Sequence, residues 1–180
     1  MSGTLDLFDR TISVRPLRIA EGAWLLRGFA LDQAETLLDE IARIAQQTPF
    51  RHQITPGGFR MSAAMTSCGA LGWVTDRAGY RYSGIDPDSG KSWPEMPAVF
   101  RDLAARAATE SGYEDFQPQG CLINRYETGA RMSLHQDKDE QALDAPIVSV
   151  SLGAPMTFLF GGLLRADPTS RYRLEHGDIV

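Results

Sequence analysis

The sequence has 180 residues, of which 43% are hydrophobic and 23% charged, and its formal net charge is −5. These values are typical of one globular domain and exclude a disordered or fibrous chain. The longest apolar runs, near residues 147–152 and 156–160, fall far short of the ~18 residues of a membrane span. The N-terminus has no secretory pattern, so we expect a cytoplasmic protein. The negative charge argues against binding nucleic acid through overall charge but permits a local basic face.

Two segments have the periodicity of amphipathic helices. Asp32 and Glu35 form a capping-box pattern, apolar residues then recur every three or four positions, and Pro49 ends the segment. A second helix is predicted from Pro97 to Ser111, with Pro at its start. We therefore expect two helices.

Residues 49–94 differ in composition from both flanks. They contain seven of the 17 glycines and six of the 16 aromatic residues, and five basic against three acidic side chains give them a net charge of +2. No helical period runs through them, which predicts short strands and loops, including a strand at residues 79–83. Their aromatic residues either fill a small core or form a binding surface.

The chain beyond Gly120 has the pattern of short strands. They are predicted at residues 121–126, 147–152, 156–160 and 172–174, after an early strand at residues 24–26. Helices followed by many short strands indicate an α+β fold with a double sheet towards the C-terminal end. Cys68 and Cys121 form no Cys-x-x-Cys motif, so we expect free thiols and no cysteine-based zinc site.

His135 and Asp137 are the candidate metal ligands. In an extended segment, residues two positions apart point to the same side, so the imidazole and the carboxylate would converge on one point. These are two of the three ligands of the 2-His-1-carboxylate triad that holds non-haem Fe(II). The spacing alone is weak, because an exposed turn with a solvated carboxylate has the same pattern.

The surrounding motifs resemble those of the AlkB family of Fe(II)/2-oxoglutarate dioxygenases, of the bacterial type. The resemblance covers nearly the whole chain, and its motifs include Cys-Leu-Ile-Asn-Arg-Tyr at 121–126, Leu-His-Gln-Asp-Lys-Asp-Glu at 134–140, Thr-Pro-Gly-Gly at 55–58 and Leu-Gly-Trp at 71–73. It implies a double-stranded β-helix (jelly-roll) core with two helices in the N-terminal half and a nucleotide-recognition lid. We expect three regions: an N-terminal strand and helix (1–48), the lid (49–94), and a helix with the dioxygenase core (95–180).

The resemblance also implies roles for individual residues. His135 and Asp137 resemble iron ligands and catalytic residues, and Asn124 and Tyr126 resemble groups that hydrogen-bond 2-oxoglutarate. Trp73 resembles the ring that stacks on the methylated base. The other residues implied in substrate binding are Tyr80, Thr55, Ser133 and Lys138 at the nucleic-acid backbone, Asp139 with its partner Arg165 at the base edge, and Met65 lining the pocket.

Several of these residues have simpler interpretations. Trp73 could belong to the core of the lid, Tyr126 could fill the barrel, and Arg165 could be a surface cation near Asp167. His176 precedes Gly177 and Asp178, whereas the family's distal iron ligand follows that strand. We therefore expect the distal histidine and the arginine for 2-oxoglutarate to lie beyond Val180, with the last strands.

The implied activity is the oxidative removal of methyl groups from base nitrogens, as in 1-methyladenine or 3-methylcytosine. The partner would be alkylated DNA, single- or double-stranded, or alkylated RNA. The cofactor would be Fe(II), with 2-oxoglutarate as cosubstrate. The intact protein would be a monomer. The methyl carbon would leave as formaldehyde, while 2-oxoglutarate becomes succinate. The alternative is a non-catalytic fragment that binds nucleic acid, because these 180 residues lack the distal histidine and that arginine.

Overall fold

The fold is known from a computed structural model that describes residues 16–137 and 144–180. Its elements, in chain order, are β1 (Leu17–Ala20), β2 (Ala23–Leu25), α1 (Ala34–Gln47), β3 (Ala64–Gly69), β4 (Gly72–Asp76), β5 (Gly79–Ser83), α2 (Ala98–Glu110), β6 (Gly120–Arg125), β7 (Met156–Gly161) and β8 (Thr169–Leu174). Neither helix is long and apolar enough to cross a membrane.

The strands pair two by two, always antiparallel. The pairs β1–β2, β4–β5 and β7–β8 join strands that are consecutive along the chain, whereas β3 pairs with the distant β6. Two helices with antiparallel strands confirm the α+β class. The double-stranded β-helix stays a prediction, since every named sheet of the described residues has two strands.

The first helix begins one residue later than the predicted capping box implies. Residues Leu31–Gln33 form a short 3₁₀ turn, and α1 starts behind Gln33 with no side-chain cap. The predicted capping box of Asp32 and Glu35 is therefore wrong, because Asp32 lies inside the 3₁₀ turn and not at the boundary of the α-helix. The predicted apolar face is confirmed, since Ala34, Leu37 and Ile44 are buried.

The second helix is confirmed close to its predicted limits. It begins at Ala98 behind Pro97 and ends at Glu110, and Gly112 follows with a φ of +87°, as a helix end in the left-handed region requires. It lies just past the midpoint of the chain, not in the N-terminal half.

Two apolar clusters hold the helices to the strands. The first combines residues from both helices with the C-terminal segment: Leu26, Ala30, Leu37, Leu103, Ala107 and Ile179. The second lies where α1 and the region just before α2 pack on β3 and β6: Ile44, Cys68, Met96 and Ile123. One face of the β3–β6 pair therefore packs in the core.

The C-terminal segment, residues 175–180, lies between two other parts of the chain. Leu26 and Ile179 exchange both backbone hydrogen bonds, at 2.8 and 3.0 Å, and Ser149 and Val180 exchange theirs at 2.8 and 2.9 Å. The predicted strand at residues 147–152 is thus present as an extended segment with a single bridge, Val150 to Ile179, rather than as a regular strand.

The Asp178 carboxylate fixes this segment. Its Oδ2 accepts hydrogen bonds from the Arg27 guanidinium at 2.6 Å and the Glu175 amide at 2.9 Å, while Oδ1 accepts one from the Gly28 amide at 2.8 Å. Arg27 also donates to the Arg173 carbonyl at 2.6 Å. One buried carboxylate, 2% exposed, therefore joins β2 to the end of β8.

A second buried carboxylate fixes the lid segment. Asp86 pairs with Arg51, whose guanidinium also contacts Asp88 at 3.1 Å and lies over the ring of Trp93. Burial alone would raise the pKa of the Asp86 carboxyl, but the hydrogen bonds from Arg51, from the Ser89 hydroxyl and from the Asp88 amide outweigh it and hold that pKa below its usual value. The turn after β5 is thereby tied to the segment before β3.

Replacing Asp178 by alanine should destabilise the whole fold. The change leaves two backbone amides and the Arg27 guanidinium without their acceptor, which costs about 3 kcal/mol of unfolding free energy. Asp102→Ala is the matched control, because Asp102 is 70% exposed and lies 3.7 Å from Arg101 in a surface pair worth less than ~1 kcal/mol. Urea unfolding measures both; equal effects would contradict a special role for Asp178.

Candidate active site

The β3–β6 pair presents Met65 and Asn124 directly opposite each other. Met65 is fully buried, and the side-chain oxygen of Asn124 is buried without a hydrogen-bond partner among the described residues. Alternate residues of a strand face opposite sides, so both lie on the face turned away from the core cluster that contains Cys68 and Ile123. Burying an amide oxygen without a hydrogen-bond partner costs free energy, so this face is suited to a polar ligand that donates to that oxygen.

Tyr126 follows β6 and points its hydroxyl at the sulfur of Met132, 4.0 Å away. Thioether sulfur is a weak acceptor, so the hydroxyl is poorly satisfied. Burial raises the pKa of the Tyr126 phenol, which keeps it protonated and able to donate. Asn124 and Tyr126 are thus two hydrogen-bonding groups, close in the chain, that lack strong partners.

His135 and Asp137 converge as the spacing predicts. The His135 Nε2 lies 3.4 Å from Asp137 Oδ1, and its Nδ1 lies 2.8 Å from the Ser133 carbonyl oxygen. A carbonyl can only accept, so Nδ1 carries a hydrogen, and Nε2 is the ring nitrogen that faces the carboxylate and would bind a metal once it loses its proton. This donor pair suits a divalent cation held between nitrogen and oxygen.

The space between these side chains attracts positive charge. The Asp137 carboxylate raises the pKa of His135 to about 9, and the imidazolium in turn holds the pKa of Asp137 below its usual value. The donors therefore fit two protein ligands of iron. Within residues 16–137 and 144–180, no third histidine, cysteine, aspartate or glutamate joins them.

The segment that carries His135 is fastened to the turn between β7 and β8. The Gln136 side-chain amide donates to the Leu163 carbonyl, and the Arg165 guanidinium donates to the Leu134 carbonyl at 2.8 Å. Arg165 thus has a backbone partner beside the candidate metal ligand. Its predicted partner Asp139, and the predicted backbone contact Lys138, lie outside the described residues.

The same segment is also attached to the start of β3. The Ser62 hydroxyl donates to the Arg131 carbonyl at 2.5 Å, and the Arg131 amide donates back to the Ser62 oxygen at 3.0 Å. Ser133, a predicted contact to the nucleic-acid backbone, is exposed between this attachment and His135. The described part of this loop, residues 131–137, is therefore attached both to the segment before β3 and to the turn between β7 and β8.

The β4–β5 hairpin carries a pair of stacked rings. Trp73 and Tyr80 have ring centroids 5.6 Å apart at an interplanar angle of 22°. Tyr80 is 45% exposed, and Trp73 is half-buried. The Gln53 side chain donates to the Trp73 carbonyl at 3.2 Å and accepts from the Thr75 amide at 2.7 Å, so the hairpin is anchored from behind.

Thr55 lies in a tight turn beside this hairpin. Its side-chain oxygen accepts a hydrogen bond from the Phe59 amide at 3.1 Å, which uses a lone pair and not the hydroxyl hydrogen. The Phe59 ring at the end of the turn is 75% exposed. An exposed ring, a hydroxyl and the stacked pair therefore occur in one short stretch of the lid segment.

His176 is used elsewhere. Its Nδ1 accepts a hydrogen bond from the Gly153 amide at 2.9 Å, joining the end of β8 to the segment before β7. The Nδ1 of His176 therefore has a backbone partner within the fold, and its relation to the distal iron ligand stays a prediction.

The sequence did not predict three residues whose side chains bind backbone atoms around the site. Gln53, Ser62 and Gln136 each bind main-chain atoms of a segment far away in the chain. Glutamine and serine are common on surfaces, and no spacing in the sequence distinguishes these three.

The family profile of the 2OG-Fe(II) oxygenase superfamily matches residues 22–180. The chain belongs to this superfamily. It is 59% identical over 177 residues to the alpha-ketoglutarate-dependent dioxygenase AlkB of Escherichia coli, an alignment that covers 98% of this chain and 81% of that protein. The AlkB homolog of Caulobacter vibrioides is 40% identical over 166 residues, which cover 92% of this chain and 74% of that one. The chain is therefore an AlkB-family Fe(II)/2-oxoglutarate dioxygenase of the bacterial type.

More distant relatives agree. The human nucleic acid dioxygenase ALKBH1 is 30% identical over 111 residues, which cover 61% of this chain and 28% of that protein. The solved structure of OsALKBH1 superposes with a TM-score of 0.76 at 27% identity, covering 91% of this chain and 80% of that one. The α+β arrangement is thus that of a 2-oxoglutarate oxygenase.

Substitution of His135 should weaken metal binding without unfolding the protein. His135→Ala removes the candidate nitrogen ligand from a half-exposed position, so cobalt(II) affinity should fall at least about tenfold while the melting temperature changes little. His176→Ala is the control: it should lower the melting temperature and leave cobalt(II) affinity unchanged. Titration by absorbance and thermal melting separate the two effects; the reverse pattern would exchange the roles of these histidines.

Proposed function

We propose that the protein removes methyl groups from alkylated bases, of the 1-methyladenine and 3-methylcytosine type, in DNA or RNA. The reaction uses Fe(II), O₂ and 2-oxoglutarate and releases formaldehyde and succinate. The protein works in the cytoplasm as a monomer. This proposal is consistent with relatives that are named dioxygenase AlkB and nucleic acid dioxygenase.

The stacked rings of Trp73 and Tyr80 are the observation that carries the substrate proposal. The atoms of a base that is stacked inside a duplex cannot reach a reaction centre on a protein, so the base must be unstacked and received on another flat surface. Aromatic side chains provide that surface for any base, at about 1–3 kcal/mol per stacked base. A partly exposed ring pair on an anchored hairpin is suited to this task.

The proposed metal and cosubstrate site uses the groups that lack strong partners. The His135 Nε2 and Asp137 carboxylate would bind the iron, and Asn124 and Tyr126 would hydrogen-bond 2-oxoglutarate. When bound, iron and 2-oxoglutarate supply the oxidation of the methyl group by O₂. The protein's own contribution is to hold these donors in place and to keep the Tyr126 hydroxyl protonated.

The proposed base site combines several groups of the lid segment and the loop beyond it. Trp73 would stack on the base, Met65 would close the bottom of the pocket, and Asp139 with Arg165 would read the base edge. Phosphate contacts position a nucleic acid while edge contacts specify the base, so these roles are separable. The proposed contacts to the backbone are Tyr80, Thr55, Ser133 and Lys138. We also propose the jelly-roll core and the lid boundaries 49–94.

A paired measurement tests this proposal. With iron, 2-oxoglutarate and ascorbate, the protein should release formaldehyde from a 1-methyladenine oligonucleotide and none from the unmethylated one. Trp73→Ala should lose about 1–3 kcal/mol of affinity for the methylated strand, with little change in melting temperature. Trp24→Ala, a half-buried tryptophan on β2, is the matched control and should retain full affinity.

The outcomes discriminate between alternatives. Tight binding of the oligonucleotide without formaldehyde would support a non-catalytic nucleic-acid-binding protein. Succinate production stimulated by other small molecules or proteins, and not by methylated nucleic acid, would overturn the substrate proposal. Global unfolding of Trp73→Ala would show instead that Trp73 is a structural residue in the core of the lid.

A further inference from the structure

Two cysteines that are far apart in the sequence lie side by side in the fold. Cys68 on β3 is the direct cross-strand partner of Cys121 on β6, and neither forms a disulfide. Directly opposite residues of antiparallel strands project to the same side, with Cα atoms about 4.5–5.5 Å apart. A disulfide needs about 4.4–6.8 Å, so the backbone already has the geometry to accept one.

The two thiols differ in access to solvent. Cys68 is 0% exposed and packs against Ile44, Met96 and Ile123, whereas Cys121 is partly exposed at the edge of the same cluster. Cys121 is therefore the residue nearer to solvent, which makes it the candidate for the first reaction with a small oxidant.

The pKa values of the two thiols are shifted in opposite directions. The hydrogen bond between the thiols and burial together raise the pKa of Cys68, so it keeps its proton. The same hydrogen bond lowers the pKa of Cys121, which favours its thiolate. A thiolate is the nucleophilic form of cysteine, so Cys121 is the sulfur assigned to react first, and Cys68 completes a disulfide once it gives up its proton.

We propose that Cys68 and Cys121 form a reversible oxidation site, at which a hydroperoxide produces a disulfide between β3 and β6. The Cys121 thiolate attacks the terminal peroxide oxygen, the O–O bond breaks, and Cys121 becomes a sulfenic acid while hydroxide or an alkoxide leaves and takes a proton from water. The Cys68 sulfur then attacks the Cys121 sulfur; the S–O bond breaks, and the Cys68 proton leaves with the hydroxyl as water. The two sulfurs lose two electrons to the peroxide, and a dithiol reductant returns them.

The cross-link joins the two strands that carry the candidate cosubstrate site. Met65 and Asn124 lie three positions along the same pairing, on the opposite face. The disulfide would thus fix the register of these strands from the core side without occupying the site. It should raise the melting temperature, since it constrains the unfolded chain.

Mild oxidation of the full-length protein tests the site directly. With metal removed by a chelator, stoichiometric hydrogen peroxide should remove both free thiols and lower the intact mass by two hydrogen atoms. Digestion should yield one peptide pair linked through Cys68 and Cys121, and dithiothreitol should restore the starting mass and melting temperature. Retention of both thiols, or disulfides only between separate molecules, would overturn the proposal.

Single substitutions test the order of the two steps. In Cys68→Ser, Cys121 should stop at the sulfenic acid, which dimedone traps as an adduct. In Cys121→Ser, Cys68 should remain reduced over the same time. Oxidation of Cys68 in Cys121→Ser at the rate seen in the wild type would contradict the assignment of Cys121 as the first thiol. The wild-type peptide analysis decides the proposal even if either variant fails to fold.

Discussion

The buried carboxylate of Asp178 is the contact on which the arrangement of the chain most depends. Three donors meet on it: Arg27 and Gly28, which follow β2, and Glu175, which follows β8. The residue after Asp178, Ile179, pairs with Leu26 on one side and Val150 on the other. Because β8 is fixed at this end, the β7–β8 hairpin is held, and the turn of that hairpin in turn holds the His135 segment through Gln136 and Arg165. The candidate metal ligands are therefore positioned from a contact made far along the chain.

The two faces of the β3–β6 pair differ in what they contact. One face carries Cys68 and Ile123 into the core beneath the helices, and the other presents Met65 and Asn124. A strand pair packed on one side by helices is rigid, and an unpaired amide oxygen on its other side is pre-oriented for a ligand. The core and the proposed cosubstrate site thus use alternate residues of the same two strands.

The sequence predicted most of what depends on local pattern. The apolar face of α1, the limits of α2 and the strands β5 and β6 follow from periods of three to four or of two residues. The convergence of His135 and Asp137 likewise follows from a spacing of two. The 3₁₀ turn at Leu31–Gln33 did not follow from local pattern, because the residue before it is bound to a distant segment through the hydrogen bond from the Ala30 amide to the Gly177 carbonyl at 2.9 Å. The contacts of Gln53 and Gln136, and the pairing of Cys68 with Cys121, join distant segments and leave no mark on local pattern.

The groups proposed to bind iron and 2-oxoglutarate are separate from the aromatic pair proposed to receive the base. The ratio of formaldehyde to succinate, measured on one methylated oligonucleotide, tests this separation most directly. The wild type should release the two in equal amounts, and His135→Ala should lose both. Trp73→Ala should still convert 2-oxoglutarate to succinate while releasing less formaldehyde, since the base is no longer held. A folded Trp73→Ala protein that loses both products in equal proportion would contradict the account.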